Sequence, residues 1–123
     1  MDELTILTPL EFKVMDILWR LEKAYVKDIL DSWPEENKPA YNTISTIVRI
    51  LQDKKGYIKH ESHGRNHLYV PNVDRVTYKE FYLKSAVKSV FQGSVSSLLS
   101  TLIGNEKVEQ KELNELKKLL GIK

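Results

Sequence analysis

The chain has 123 residues, 19 basic against 17 acidic side chains, and no cysteine. That length suits one compact domain, or a small domain with an appendage, and it can bury a core without staples. Without cysteine there are no disulfides, zinc–thiolate centres or thiol nucleophiles. No leader-like segment and no run of about 18 apolar residues occurs, so the expectation is a cytoplasmic protein with no membrane insertion.

Charge is unevenly spread. Residues 1–37 hold four basic and nine acidic side chains, whereas residues 38–73 hold six basic and two acidic ones. A positive block beside an acidic one suggests one face aimed at a polyanion, the alternative being ordinary solvated charge.

In chain order, "TPLE" opens the first helix. Thr8 caps it, Pro9 takes the first helical position and Glu11 completes a capping box. Leu10, Val14, Leu18 and Leu21 form its apolar stripe, widened by Met15, Ile17 and Trp19. A short second helix is predicted from Val26 to Trp33, stopped by Pro34. The third, in "YNTISTIVRILQDKKGYI", places Ile44, Ile47, Val48 and Leu51 on one face, with Gly56 as its stop. "YIKHESHGRNHLYV" then reads as strands Tyr57–Glu61 and His67–Val70 around a "SHGRN" turn. Three short helices followed by a hairpin are the pattern of a winged helix-turn-helix.

Beyond residue 73 the composition changes. "TYKE" (Thr77–Glu80) reads as a second capping box, opening a helix to about Gln92 with Phe81, Val87, Val90 and Phe91 among its apolar positions. "SVSSLLSTLI" forms a short helix carrying Leu98, Leu99, Leu102 and Ile103. The last helix lines up Leu113, Leu116, Leu119 and Leu120. These three helices hold too few apolar residues for a core of their own. Two copies about a two-fold axis would supply one, and folding back on the N-terminal core is the alternative. The expected fold is therefore mainly α with a small β-hairpin: a winged-helix DNA-binding domain over residues 1–73 and a helical dimerisation region over residues 74–123.

The outer face of the third helix holds the chemistry. With Ile44 at the centre of the buried face, Asn42, Thr46, Arg49 and Asp53 point outward, Ser45 and Gln52 lie on one flank and Thr43 on the other. A merely solvated face tends toward Glu–Lys pairs, which its first two turns lack. Short polar side chains allow close approach to a surface. Asn pairs with adenine, Arg with guanine, and Ser and Thr with bases or phosphates. Lys54, Lys55 and Lys59 add basic groups for backbone phosphate, and Arg65 at the hairpin turn can reach a phosphate or a minor groove. His60, His63 and His67 do not have zinc-helix spacing, and no metal site or cofactor is expected. No nucleophile motif, phosphate-cradling glycine loop or inward carboxylate pair is present, so no enzyme is expected. The rival reading is a winged-helix adaptor that binds protein instead of DNA.

"LTPLEFKVMDILW", "VKDIL", "NTISTIVRILQDKKGYI" and "HGRNHLYVPNV" together resemble the penicillinase-repressor family, the BlaI, MecI and CopY repressors. "SSLLSTLIGNEKVEQKELNELKKLL" is similar to that family's dimerisation tail. The resemblance implies a homodimeric repressor of transcription on palindromic operators in double-stranded DNA, of the kind that controls β-lactamase and other antibiotic-resistance genes. It places DNA contacts on Asn42, Thr43, Ser45, Thr46 and Arg49, with Arg65 and nearby basic groups on phosphate. It also implies a membrane sensor partner whose signal leads to cleavage in the tail. Three departures stand out. Family members often carry a basic residue where Ile50 stands, and one fewer residue before the glycine of "KKG". The Asn–Phe pair cut in proteolysed members is matched by Thr101–Leu102. The copper-responsive members use tail cysteines, which this chain lacks.

Overall fold

A computed structural model describes residues 4–104 and 109–119. Its elements run α1 (Pro9–Leu21), α2 (Val26–Asp31), α3 (Tyr41–Asp53), β1 (Ile58–His63), β2 (Asn66–Pro71), α4 (Arg75–Ser89), α5 (Val95–Ile103) and α6 (Gln110–Leu119). The chain divides into two compact units, residues 1–82 and 83–123, the division falling within α4.

The first unit is a winged helix-turn-helix. Helix α1 starts as its sequence dictates: Glu11 N–H donates to Thr8 Oγ1 (3.2 Å), and Thr8 N–H donates to Glu11 Oε1 (2.9 Å). Its stripe buries Val14, Met15, Ile17 and Leu18 against Ile44, Val48 and Leu51 of α3. Helix α2 ends at Asp31, two residues before the predicted end, because Ser32 turns the chain; Trp33 is nevertheless buried.

The hairpin is tighter and longer than the sequence suggested. Strands β1 and β2 pair antiparallel from Ile58↔Pro71 to His63↔Asn66, which leaves a two-residue turn in place of the expected five. Gly64, at φ +65, occupies the first central position of that turn, where a primed turn favours glycine. Tyr57 lies outside the strand. It is fully buried, and its hydroxyl donates to the Thr5 carbonyl at 2.6 Å. Burial, with the neighbouring Tyr78 adding to it and the Thr5 bond opposing, pushes the Tyr57 phenol up to about 12. Ala24 joins the sheet by exchanging two backbone hydrogen bonds with Tyr69. This bridge fixes the hairpin beside the start of α2.

Helix α4 begins at Arg75, not at the Thr77–Glu80 box. Asp74 caps it by accepting from Thr77 N–H at 2.8 Å, and it ends at Ser89. The chain entering α4 is latched onto α1: Trp19 Nε1–H donates to the Val73 carbonyl (2.9 Å), and Arg75 reaches the Asp16 carboxylate (2.6 Å) while covering the Trp19 ring. Tyr78 is thereby delivered into the core, where its hydroxyl accepts from Leu7 N–H at 3.1 Å.

In the second unit α5 is capped by Ser94, whose hydroxyl accepts from Ser97 N–H at 3.0 Å. None of this unit's described residues is buried. Leu83 and Val87 of α4 with Val95 and Leu98 of α5 line an open apolar trough of about 280 Å³.

Candidate nucleic-acid interface

Helix α3 presents two outward stripes. Asn42, Thr43 and Thr46 are exposed. Tyr41, Ser45 and Arg49, four residues apart, share the flank turned toward α2 and the hairpin. With Arg65, His67 and Tyr69 of the hairpin and Lys27 of α2 they line a concavity of about 740 Å³. Tyr69 is buried at its floor. Burial pushes its phenol up, the Arg49 charge opposes that, and Tyr41 adds to it.

The structure brings together, on and beside α3, the exposed polar set expected from the sequence: Asn42, Thr43, Thr46 and Arg49, with Ser45 half-buried on the flank. Arg65 sits at the hairpin turn, and Lys54 and Lys59 are exposed. Lys55 is placed differently. Its ammonium donates to Glu11 Oε1 at 2.7 Å, and its side chain is mostly covered. It is a strut between the end of α3 and the start of α1 instead of a cation free for phosphate. The geometry of the helix end explains this. Lys54 and Lys55 N–H both bond the Ile50 carbonyl, and Gly56 (φ +72) then reverses the chain so that Tyr57 N–H bonds the Leu51 carbonyl. The Lys55 bond reaches back five residues, a local widening of the last turn.

Burial works against the charge on Glu11, but the Lys55 ammonium and the Thr8 bonds overcome it and hold the carboxyl below its ordinary 4.5. The charged form is therefore favoured by folding. Its contribution is complete above that value and is lost as pH falls through the folded pKa. Glu11→Gln should cost about 1–3 kcal/mol near neutrality, less than a fully buried pair because Lys55 keeps some solvent. Urea unfolding should show the gap between wild type and variant narrowing in acid. A gap independent of pH would mean that the carboxylate charge is not what matters.

The three histidines do not converge. His60 and His67 stack in parallel at 4.1 Å, and His63 turns to Glu61 at 3.5 Å. Among the described residues no group of three or more potential metal ligands is assembled.

Of the residues expected in dimerisation, Phe81 packs against the core of the first unit beside Tyr78, so that unit already covers much of its ring. Val87, Phe91, Leu98, Leu99 and Leu113 are half-buried, and Val90, Leu102 and Ile103 are exposed. The backbones of Leu116 and Leu119 lie in α6, and Leu120 lies outside the described residues. Thr101–Leu102 falls inside α5, with the Thr101 hydroxyl donating to the Ser97 carbonyl at 3.0 Å. Two residues of consequence escaped the sequence reading: Tyr41, an exposed aromatic at the head of α3, and Tyr78, a core residue in α4. An aromatic on the solvent side of a helix was the available sign of the first. Nothing local marks the second.

The chain is 26% identical over 111 residues to the penicillinase repressor of Bacillus licheniformis, covering 89% of this chain and 85% of that protein. It is 27% identical over 113 residues to the methicillin resistance regulatory protein MecI of Staphylococcus aureus strain N315, covering 92% and 91%. The solution structure of the DNA binding domain of the repressor BlaI has the same fold, with a TM-score of 0.51 at 24% identity over 63% of this chain and 94% of that one. No helix among the described residues is long and apolar enough to cross a membrane. The penicillinase repressor family model matches residues 7–121, nearly the whole length, and the chain belongs to that family.

Proposed function

We propose that the protein is a homodimeric, sequence-specific transcriptional repressor acting on palindromic operators in the cytoplasm. The observation that carries this reading is the exposed face of α3: Asn42, Thr43 and Thr46, short hydrogen-bonding side chains on a helix whose other face is fully packed. Such a face can enter a major groove and address base edges. Arg65, Lys54 and Lys59 add positive charge around it for phosphate, and Arg49 adds a cation on its flank. The relatives' names concern penicillinase and methicillin resistance, and genes of that class are the targets we assign to this chain.

Dimerisation completes the mechanism. The second unit leaves Val90 72% and Val95 58% exposed and buries none of its described residues, so it gains most by covering its apolar side with a second copy. The tail of residues 74–123 is the dimerisation region in this reading. Two joined copies present two recognition helices about 34 Å apart, one turn of duplex. A sensor or protease that split the dimer would release the operator; one acting at Thr101–Leu102 would first have to unwind α5.

Titration of the full chain against duplex DNA at two salt concentrations tests the central claim. Binding should weaken along a straight log–log line as salt rises, because each phosphate contact releases counterions. Absence of binding, or binding with no salt dependence, would favour a protein-binding adaptor. Selection of bound fragments from the source genome would then identify the operator and its neighbouring genes.

A further inference from the structure

Tyr41 is the one α3 residue among the chain's exposed large hydrophobics, 55% accessible at the first position of the helix. Exposure of an aromatic ring there contributes nothing to the core. Its position in the concavity described above suggests another role. Tyr41, Ser45 and Arg49 form one wall of that concavity, and Arg65 and His67 stand across from them. Asn42, Thr43 and Thr46 do not line it. Helix α3 thus separates into a stripe that can face base edges and a flank that shares a groove with the hairpin.

The groove's chemistry is that of a sugar–phosphate strand. Lys27, Arg49 and Arg65 bring positive charge, and Tyr41 and Ser45 bring hydroxyl donors. Aromatic surface from Tyr41 and Tyr69 suits the apolar face of deoxyribose. Two carboxylates also border it. Asp28 is engaged by Tyr25 N–H at 2.9 Å, and Asp31 stands at the α2 end. Tyrosine and serine hydroxyls are ordinary phosphate donors, and such contacts set the register of a protein on its duplex.

Resting on the repressor reading above, we propose that this groove seats a stretch of the backbone of one DNA strand. Tyr41 is a binding residue within it: its hydroxyl donates to a phosphate oxygen and its ring packs on the adjoining sugar. Arg49 and Arg65 are the cationic walls. Arg49 is thereby assigned to phosphate instead of to a guanine, as the sequence alone suggested.

The test uses the full-length protein with two duplexes, one carrying a site selected from the source genome and one of unrelated sequence. Tyr41→Phe should weaken binding to both by about three- to tenfold, the loss of one hydrogen bond. Tyr41→Ala should weaken both further. Arg49→Ala should lower affinity for both and reduce the log–log salt slope by about one. Methylphosphonate substitution, scanned along the selected duplex, should erase the difference between wild type and Tyr41→Phe at one phosphate per half-site. Tyr41 is exposed, so the circular dichroism and melting temperature of its variants should match wild type. Unchanged affinity for Tyr41→Ala, or losses confined to the selected site, would overturn the assignment. If wild type binds with the expected salt slope and the variants match it, the groove assignment alone fails. If wild type binds neither duplex, the repressor reading fails with it.

Discussion

Residues 1–93, produced alone, are expected to fold cooperatively yet to bind a two-half-site operator at least about 100-fold more weakly than the full chain. The first half of that expectation follows from where the core lies. Every core residue from Leu7 to Tyr78 falls within the first 82 residues, as do the latches that bring α4 onto α1, Trp19–Val73 and Arg75–Asp16. Removing α5 and α6 takes away no buried side chain among the described residues. The second half follows from linkage. In a dimer the second recognition helix binds at an effective concentration set by the first, which raises affinity by about 10²–10⁴ without a new contact. The truncated protein should therefore match the full chain on a duplex carrying one half-site and lose only the gain from the second. Sedimentation would report a monomer for the fragment and a dimer for the full chain. Equal operator affinity in the two would remove the tail from the mechanism. Loss of the circular dichroism signal in the fragment would instead show that the first unit depends on the second.

Asn42→Ala should cost about 1–3 kcal/mol on the selected operator and relax discrimination at one base pair in each half-site. Asn42 is exposed, lies in the first turn of α3 and is outside the groove shared with the hairpin. Its side chain is open to solvent, so both donor and acceptor are available to a base edge. An amide in that position can pair with adenine N6 and N7 at once. Binding to unrelated duplex should barely change. Comparison of the selected site with variants changed at each position would locate the affected base pair. A loss of the same size on every sequence would move Asn42 to the backbone and leave Thr43 and Thr46 as the base readers. The contrast with Arg49→Ala, expected to lose affinity on all sequences, separates the two stripes of α3 by function.

Much of the first unit was legible because its signals are local. The Thr8–Glu11 box, the spacing of Ile44, Val48 and Leu51, and the polar composition of the opposite face each depend on residues within two helical turns. Such short-range pairs form the same way in most tertiary settings. Where the reading erred, the competing signal was also local. "TYKE" imitates a helix start, but Asp74 lies three residues before Thr77 and accepts its N–H, so the helix begins earlier. The turn was read too long because polar residues mark both loops and the exposed ends of strands, and Ser62, His63 and Asn66 belong to the ladder.

What the amino-acid sequence determined by itself was the order of helices and hairpin, the packed side of α3 and the hydrogen-bonding character of its other side, since periodicity and residue chemistry act over a few residues. What only the tertiary structure decided was which cations remain free and which side chains meet across the chain. Lys55 is paired because Glu11, 44 residues earlier in the chain, comes within 2.7 Å of it. Tyr41 and Arg49 become the wall of a groove because the Ala24–Tyr69 bridge sets the hairpin opposite them. Contacts between distant segments depend on the closure of the whole core, and no local pattern encodes their distances.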